Sequence, residues 1–295
     1  MSAPTPKRYQ RDAVNNVLDI FRYAESQMQA AVDEDSRLAA SAFNGCVLLE
    51  APTGAGKTLM AGLIAEAFAN PDHPHNARIV WFWFTPFANL VEQTKGVLKR
   101  DFPGLRVRDL ASERVAWSAQ SGDVFVTTWA SVAARNAETR KLRTSGDMSL
   151  ALDEFIPGLR QADFRIGVVV DEAHHGFTSA TEAVRFYRDV MRPDFTLLIT
   201  ATPDDADVEK FRKAAGIGEL HRHRVSRKDA VDAGLIKEGV QCIAYLAPNN
   251  QETLGDIPAT ALAEGWKTHN AIKKQLAKIG IHLTPLMLVQ VGNKG

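Results

Sequence analysis

The sequence predicts an α/β layered fold, a mostly parallel sheet with helices on both faces. Three observations carry that expectation. Short runs that are apolar on both sides recur along the chain, helical periodicity fills the intervals, and a glycine-rich turn joins the first run to a helix. A strand covered on both faces by crossover helices has no polar alternation to show, which is how these runs read. With 295 residues, 45% of them hydrophobic, the chain has enough material for one large domain or two smaller ones with real cores.

The elements follow in order. From Gln10 to about Ala31, Val14, Val17, Leu18 and Phe21 recur at helical spacing above a polar face, which predicts an amphipathic N-terminal helix. Strand-like runs come next at Cys46–Leu49, Ile79–Phe84, Leu105–Leu110, Val124–Thr127, Ile166–Val170 and Phe195–Ile199. Within the second, Val80-Trp-Phe-Trp-Phe84 sends large rings to both faces and reads as a packed central strand rather than a base-stacking platform. A charged run from Glu138 to Arg143 followed by Ser145-Gly-Asp breaks the rhythm, so residues 135–163 form a surface excursion with a helix near Leu150–Leu159.

Helices are expected at Asp204–Ala215, Ala230–Leu235 and Ala259–Lys278, with strands at Val240–Leu246 and from Pro285 to Val291. The cluster Arg222 to Lys228, with His221 and His223, reads as a solvated charged face, with contact to phosphates as the alternative. A lone buried strand after residue 284 needs neighbours, so it reads as the opening of a second sheet. The chain is therefore divided into an N-terminal helical segment, 1–40, a main α/β domain, 41–236, and a linker with the beginning of an incomplete second domain, 237–295.

Charge excludes some partners and leaves others open. The 35 Lys and Arg balance the 35 Asp and Glu, so any surface for a polyanion must be local. Cys46 and Cys242 lie far apart without metal-ligand spacing, and His73-Pro-His75 lacks a third ligand. No stretch reaches the length of a membrane span, and the first residues lack the apolar core of a signal peptide, so a soluble chain in the reducing cytoplasm is expected.

The strongest chemical signal is Ala51-Pro-Thr-Gly-Ala-Gly-Lys-Thr58, placed between a strand and a helix. That context makes Pro52, Thr53, Gly54, Ala55, Gly56, Lys57 and Thr58 a phosphate-binding loop, even though Ala51 stands where the general pattern has its first glycine. The glycines let backbone N–H groups face an anion, Lys57 meets the β and γ phosphates, and the Thr58 hydroxyl can ligate Mg²⁺. A second signal, Ile166-Gly-Val-Val-Val-Asp-Glu-Ala-His-His175, ends a buried strand in two carboxylates at the same sheet edge. Asp171 is the expected Mg²⁺ partner, and Glu172 the group that orients and deprotonates the water attacking the γ phosphate of ATP.

With these motifs in place, the chain resembles the first RecA-like motor domain of a superfamily 2 helicase or translocase. Asp-Glu-Ala-His-His resembles the DEAH-type branch that includes the motor subunits of type III restriction enzymes. The resemblance implies that Tyr9 and Gln10 recognise adenine, though Lys7 stands where the family often has Arg and Arg8 is displaced by one place. It implies that Thr85, Pro86, Asn89 and Gln93, with Thr127, Thr128 and Trp129, grip a nucleic-acid backbone. It further implies that Thr200 and Thr202 link nucleotide state to strand movement, with His174 bridging the ATP site to Thr200 or Thr202. Thr85, Thr127 and Thr200 each close an apolar run, so all fall at one sheet edge where hydroxyls and N–H groups can bind phosphates without net positive charge.

What the resemblance implies for function is an ATP- and Mg²⁺-dependent motor on nucleic acid, with DNA favoured by family likeness, in a restriction or phage-defence setting. The family's second RecA-like domain supplies arginine fingers from a Gln-x-x-Gly-Arg-x-x-Arg type motif, which this sequence lacks. Turnover by this chain is accordingly expected to be weak until a second RecA-like domain, in a longer chain or a partner subunit, completes the cleft. Two alternatives stand beside this reading: an ATP-gated binding or regulatory module with little turnover, and an RNA helicase. No nuclease motif is evident.

Overall fold

The computed structural model describes residues 4–74, 76–133, 150–173, 181–238, 256–282, 284, 285 and 287. The chain divides into two units, Met1–Glu238 and Gly239–Gly295. The first is built on one seven-stranded sheet, whose strands in chain order are β1 (Cys46–Glu50), β2 (Ile79–Thr85), β3 (Arg106–Arg108), β4 (Asp123–Thr128), β5 (Arg165–Val170), β6 (Phe195–Thr200) and β7 (His221–Arg224). Across the sheet the order is β3-β4-β2-β5-β6-β1-β7, and every pairing is parallel. The predicted α/β class with a parallel sheet is therefore the observed one.

Helices cover both faces. They are α1 (Arg8–Gln29), α2 (Glu34–Asn44), α3 (Lys57–Ala69), α4 (Ala88–Asp101), α5 (Trp129–Ala133), α6 (Leu152–Gln161), α7 (Thr181–Arg185), α8 (Asp205–Ala214) and α9 (Arg227–Asp232), with a π-helical turn, Phe186–Met191, extending α7. The cores sit on opposite sides of the sheet. Val47, Leu49, Trp81 and Trp83 pack with α1 and α3, whereas Leu48, Phe82, Phe84 and Phe125 pack with α6 and the π turn. Alternation along a pleated strand produces this division, and both faces are buried, as the Trp-Phe-Trp-Phe run predicts. Gly167 is required at the centre, because a Cβ there would meet the Trp81 ring at 2.3 Å.

Several expectations need correction. The expected N-terminal helix is present as α1, but a second helix, α2, not expected from the sequence, follows after residues 30–33, capped by Asp33 accepting from the Ser36 N–H at 2.8 Å. Only Arg106–Arg108 of the expected Leu105–Leu110 run is a strand, at the sheet edge beside β4. The charged stretch beginning at His221 is not simply a solvated face. Its first four residues are the other edge strand, paired with β1, where arginines on an open edge also discourage further strand addition. The helix expected at Ala230–Leu235 runs from Arg227 to Asp232, because Ser226 caps it by accepting from the Asp229 N–H.

In the second unit a helix, α10 (Asp256–Lys278), covers the predicted Ala259–Lys278. The strand expected at 240–246 and most of that expected at 285–291 lie outside the described residues, as do 134–149 of the excursion. No helix among the described residues is long and apolar enough to cross a membrane.

Candidate nucleotide site

Strand order builds the site. Because β6 lies between β1 and β5, the turn after β1, the carboxylates after β5 and the threonines after β6 emerge side by side at the carboxyl edge. Backbone bonds fix the neighbours: the Ala51 N–H donates to the Thr200 carbonyl at 3.0 Å, and the Asp171 N–H to the Phe84 carbonyl at 2.8 Å.

The loop from Ala51 to Gly56 then turns into α3. Gly54 and Gly56 have φ of 84° and 85°, in the left-handed region that a side chain resists. Gly56 is constrained twice, since an added Cβ would lie 2.4 Å from Gln10 Nε2. Lys57 begins the helix and is 8% exposed, its ammonium 3.3 Å from Glu172 Oε1. Glu172 has φ 46°, a conformation uncommon outside glycine, which places its carboxylate opposite the loop while its own N–H donates to Asp171 Oδ1 at 2.9 Å. The sequence thus brings Lys57, Asp171 and Glu172 together as expected from its two motifs. His174 lies outside the described residues.

Burial, and then the adjacent Glu172 charge, push the Asp171 carboxyl up to about 6, against the opposing pull of the Glu172 N–H and Lys57. An acid whose folded pKa is raised contributes stability that is fully present below its unfolded value near 3.8 and is lost as pH rises through about 6. Thermal unfolding without nucleotide should therefore show wild type losing ground to Asp171→Asn between about pH 4 and pH 6. A constant difference between the two proteins across that window would contradict the shift.

Tyr9 and Gln10 reach the loop from α1. Tyr9 Oη donates to the Ala55 carbonyl at 2.7 Å and Gln10 Nε2 to the same oxygen at 2.9 Å, while Gln10 Oε1 accepts from the Lys7 N–H at 2.8 Å. Gln10 is buried, so in this state its amide holds the loop rather than facing a groove. Beside Tyr9 an open groove of about 910 Å³ is lined by Lys7, Arg8, Asp12, His223 and Asp229.

The residues expected to meet nucleic acid divide into two groups. Asn89 and Gln93 are exposed one turn apart on α4, and Pro86 is half-buried just before it. Thr85 is fully buried, its hydroxyl donating to the Phe87 and Thr127 carbonyls at 3.2 and 3.4 Å. Thr127 Oγ1 pairs with Ser131 Oγ at 2.7 Å, and Thr128 Oγ1 accepts from the Ser131 N–H at 3.3 Å. Trp129 is 8% exposed and stacks on Phe84 at 4.1 Å, so the structure places it in the core, where it anchors the turn. Thr200 is buried and its hydroxyl accepts from the exposed Thr202's N–H at 3.3 Å.

One residue escaped the sequence reading. Glu50, the last of β1, is buried with Arg224 Nε donating to its Oε2 at 2.6 Å and Arg222 Nη1 3.6 Å from its Oε1. A lone carboxylate closing an apolar strand was the available signal.

The fold and this edge define a RecA-like P-loop domain. Residues 4–205 match the family described as type III restriction enzyme, res subunit, and the chain belongs to that family. No curated protein matches the sequence. Among solved structures, the UvsW helicase from bacteriophage T4 is similar with 15% identity and a TM-score of 0.44, over 75% of this chain and 61% of that one. The Hef helicase domain of Pyrococcus furiosus is similar with 18% identity and a TM-score of 0.39, over 67% of this chain and 38% of that one. The chain thus spans less than two thirds of either structure.

Proposed function

We propose that this chain is the ATP- and Mg²⁺-binding half of a DEAH-type nucleic-acid motor, acting on DNA in a restriction or phage-defence system. The observation that carries the proposal is Lys57 held 3.3 Å from Glu172 beneath a loop with two left-handed glycines. A cation for the phosphates and a carboxylate for the attacking water share one edge, next to Thr200, whose carbonyl is bonded to the loop's first N–H.

In this reading the loop N–H groups and Lys57 bind the β and γ phosphates, and Glu172 takes the proton of the attacking water. Tyr9 and the groove beside it hold the base, with Gln10 tying that groove to the loop through Ala55. Thr58 and Asp171 would hold Mg²⁺. A hydroxyl and a carboxyl already burdened by burial suit a hard cation, whose charge would favour the ionised form of Asp171. When bound, the ion neutralises charge on the transferred phosphoryl group.

The exposed Asn89 and Gln93 face of α4 and the Thr128 turn would track one strand. Thr85 and Trp129, whose groups are engaged internally, would shape that surface rather than touch the polymer. Such contacts position a strand without reading bases. Turnover awaits a second RecA-like domain supplying arginine fingers, worth about 10³ to 10⁵ in rate.

The test is steady-state ATP hydrolysis with Mg²⁺, alone and with single-stranded DNA, duplex DNA or RNA, using Lys57→Ala as blank. Stimulation by DNA that vanishes in Lys57→Ala supports the motor and identifies its track, and preference for RNA would reassign that track. Tight ATP binding with no turnover, even after addition of a second RecA-like domain, would favour the nucleotide-gated binding module.

A further inference from the structure

We infer that Glu50 is a positioning residue that transmits nucleotide occupancy from the phosphate loop to the Thr200 turn and to β7. The inference rests on the nucleotide site proposed above and adds a residue and a route to it. Glu50 is the last residue of β1 and immediately precedes the loop. In the sheet it lies opposite Thr200 on one side and Arg224 on the other. Its carbonyl accepts from the Val225 N–H at 2.8 Å, and the next residue's N–H is bound to Thr200.

The side chain adds a second set of ties to the same segments. Oε2 accepts from Arg224 at 2.6 Å, Oε1 faces Arg222 at 3.6 Å, and Arg222 in turn donates to Asp205 Oδ1 at 2.7 Å. Asp205 opens α8, which directly follows the Thr200–Asp204 turn. One buried carboxylate therefore joins the loop base to the edge strand leading to α9 by a charge-assisted hydrogen bond from Arg224, and to the start of α8 by an ion pair with Arg222, which is itself bonded to Asp205. A carboxylate with most of its surface removed from water is costly unless paired, so Glu50 depends on the two arginines that reach it from β7. Any shift of the loop base on phosphate binding moves Glu50 and thereby β7. β7 is an edge strand, held in the sheet by β1 alone, so no second strand resists its movement.

Backbone hydrogen exchange of the full chain, with and without Mg²⁺ and adenosine 5′-(γ-thio)triphosphate, tests this. In wild type the nucleotide should slow exchange in 51–58 and also in 200–208 and 221–232. In Glu50→Gln the nucleotide should bind within about threefold of wild type and still protect 51–58, while its protection of the two distant segments drops about tenfold. Arg224→Gln, at an exposed side chain that leaves the fold intact, should reproduce the loss, and Arg224→Lys should restore part of it. Undiminished distant protection in both Glu50→Gln and Arg224→Gln would overturn the inference. So would equal loss of exchange protection with and without nucleotide, which marks a purely structural residue. Wild type lacking protection of 51–58 at saturating nucleotide would instead sink the nucleotide site itself, and the inference with it.

Discussion

Glu172→Gln is expected to bind MgATP within about threefold of wild type and to lose turnover by roughly 10² to 10⁴. Glutamine keeps the volume of the side chain and can still accept a bond from the Lys57 ammonium 3.3 Å away, so the loop stays in place. What it cannot do is take a proton. It also removes the like charge beside Asp171, which lets that carboxyl ionise more readily and favours the cation-bound state. Phosphate release at saturating nucleotide and polymer, with a second RecA-like domain supplied, reads the rate, and fluorescence titration reads the affinity. Lys57→Ala is the contrast, because it leaves the phosphates without their cation and should fail in binding first. Turnover unchanged in Glu172→Gln would move the general base to another residue.

The features legible in the sequence are those whose physics is local. Two glycines two residues apart between a strand and a helix specify a turn that only glycine adopts easily, and Gly54 and Gly56 occupy it with φ near 85°. The strands buried on both faces were legible because nothing polar interrupts them. β7 was not, because His221-Arg-His-Arg224 owes its place to pairing with a distant strand, β1, to which Arg224 adds its bond to Glu50, rather than to its own pattern. The direction of a side chain at a strand end was equally closed. Thr85 and Trp129 stand in motifs that the resemblance reads as nucleic-acid contacts, yet Thr85 is spent on two carbonyls and Trp129 on the Phe84 ring. Gln10 shows the same limit, since spacing places it near the loop but only packing reveals that both ends of its amide are engaged.

The other large effect is expected far from the chemistry. Asp194→Ala should destabilise the first unit by about 3 to 5 kcal/mol, lowering its Tm by roughly 10 °C. Asp194 sits just before β6, at the edge opposite the nucleotide site, and its side chain is fully buried. It accepts from the Ile166 N–H at 2.8 Å and from Arg160 at 3.0 Å, is bonded to Arg37, and lies 3.9 Å from Arg165. These ties join α2, α6, β5 and β6. Burial already pushes the Arg160 guanidinium down, with Asp194 as the main opposing influence. Among the described residues, removing the carboxylate leaves the Arg160 guanidinium hydrogen-bonded to the carbonyls of Met191 and Arg192, and Arg37 to Glu34. Asp194→Asn keeps an acceptor for Ile166 and should cost about half as much. Nucleotide affinity, measured below the transition, should stay within about twofold in both variants, because no tie of Asp194 reaches the carboxyl edge. A loss under about 1 kcal/mol for Asp194→Ala would mean that water reaches these arginines and that the cluster is no more than a surface network.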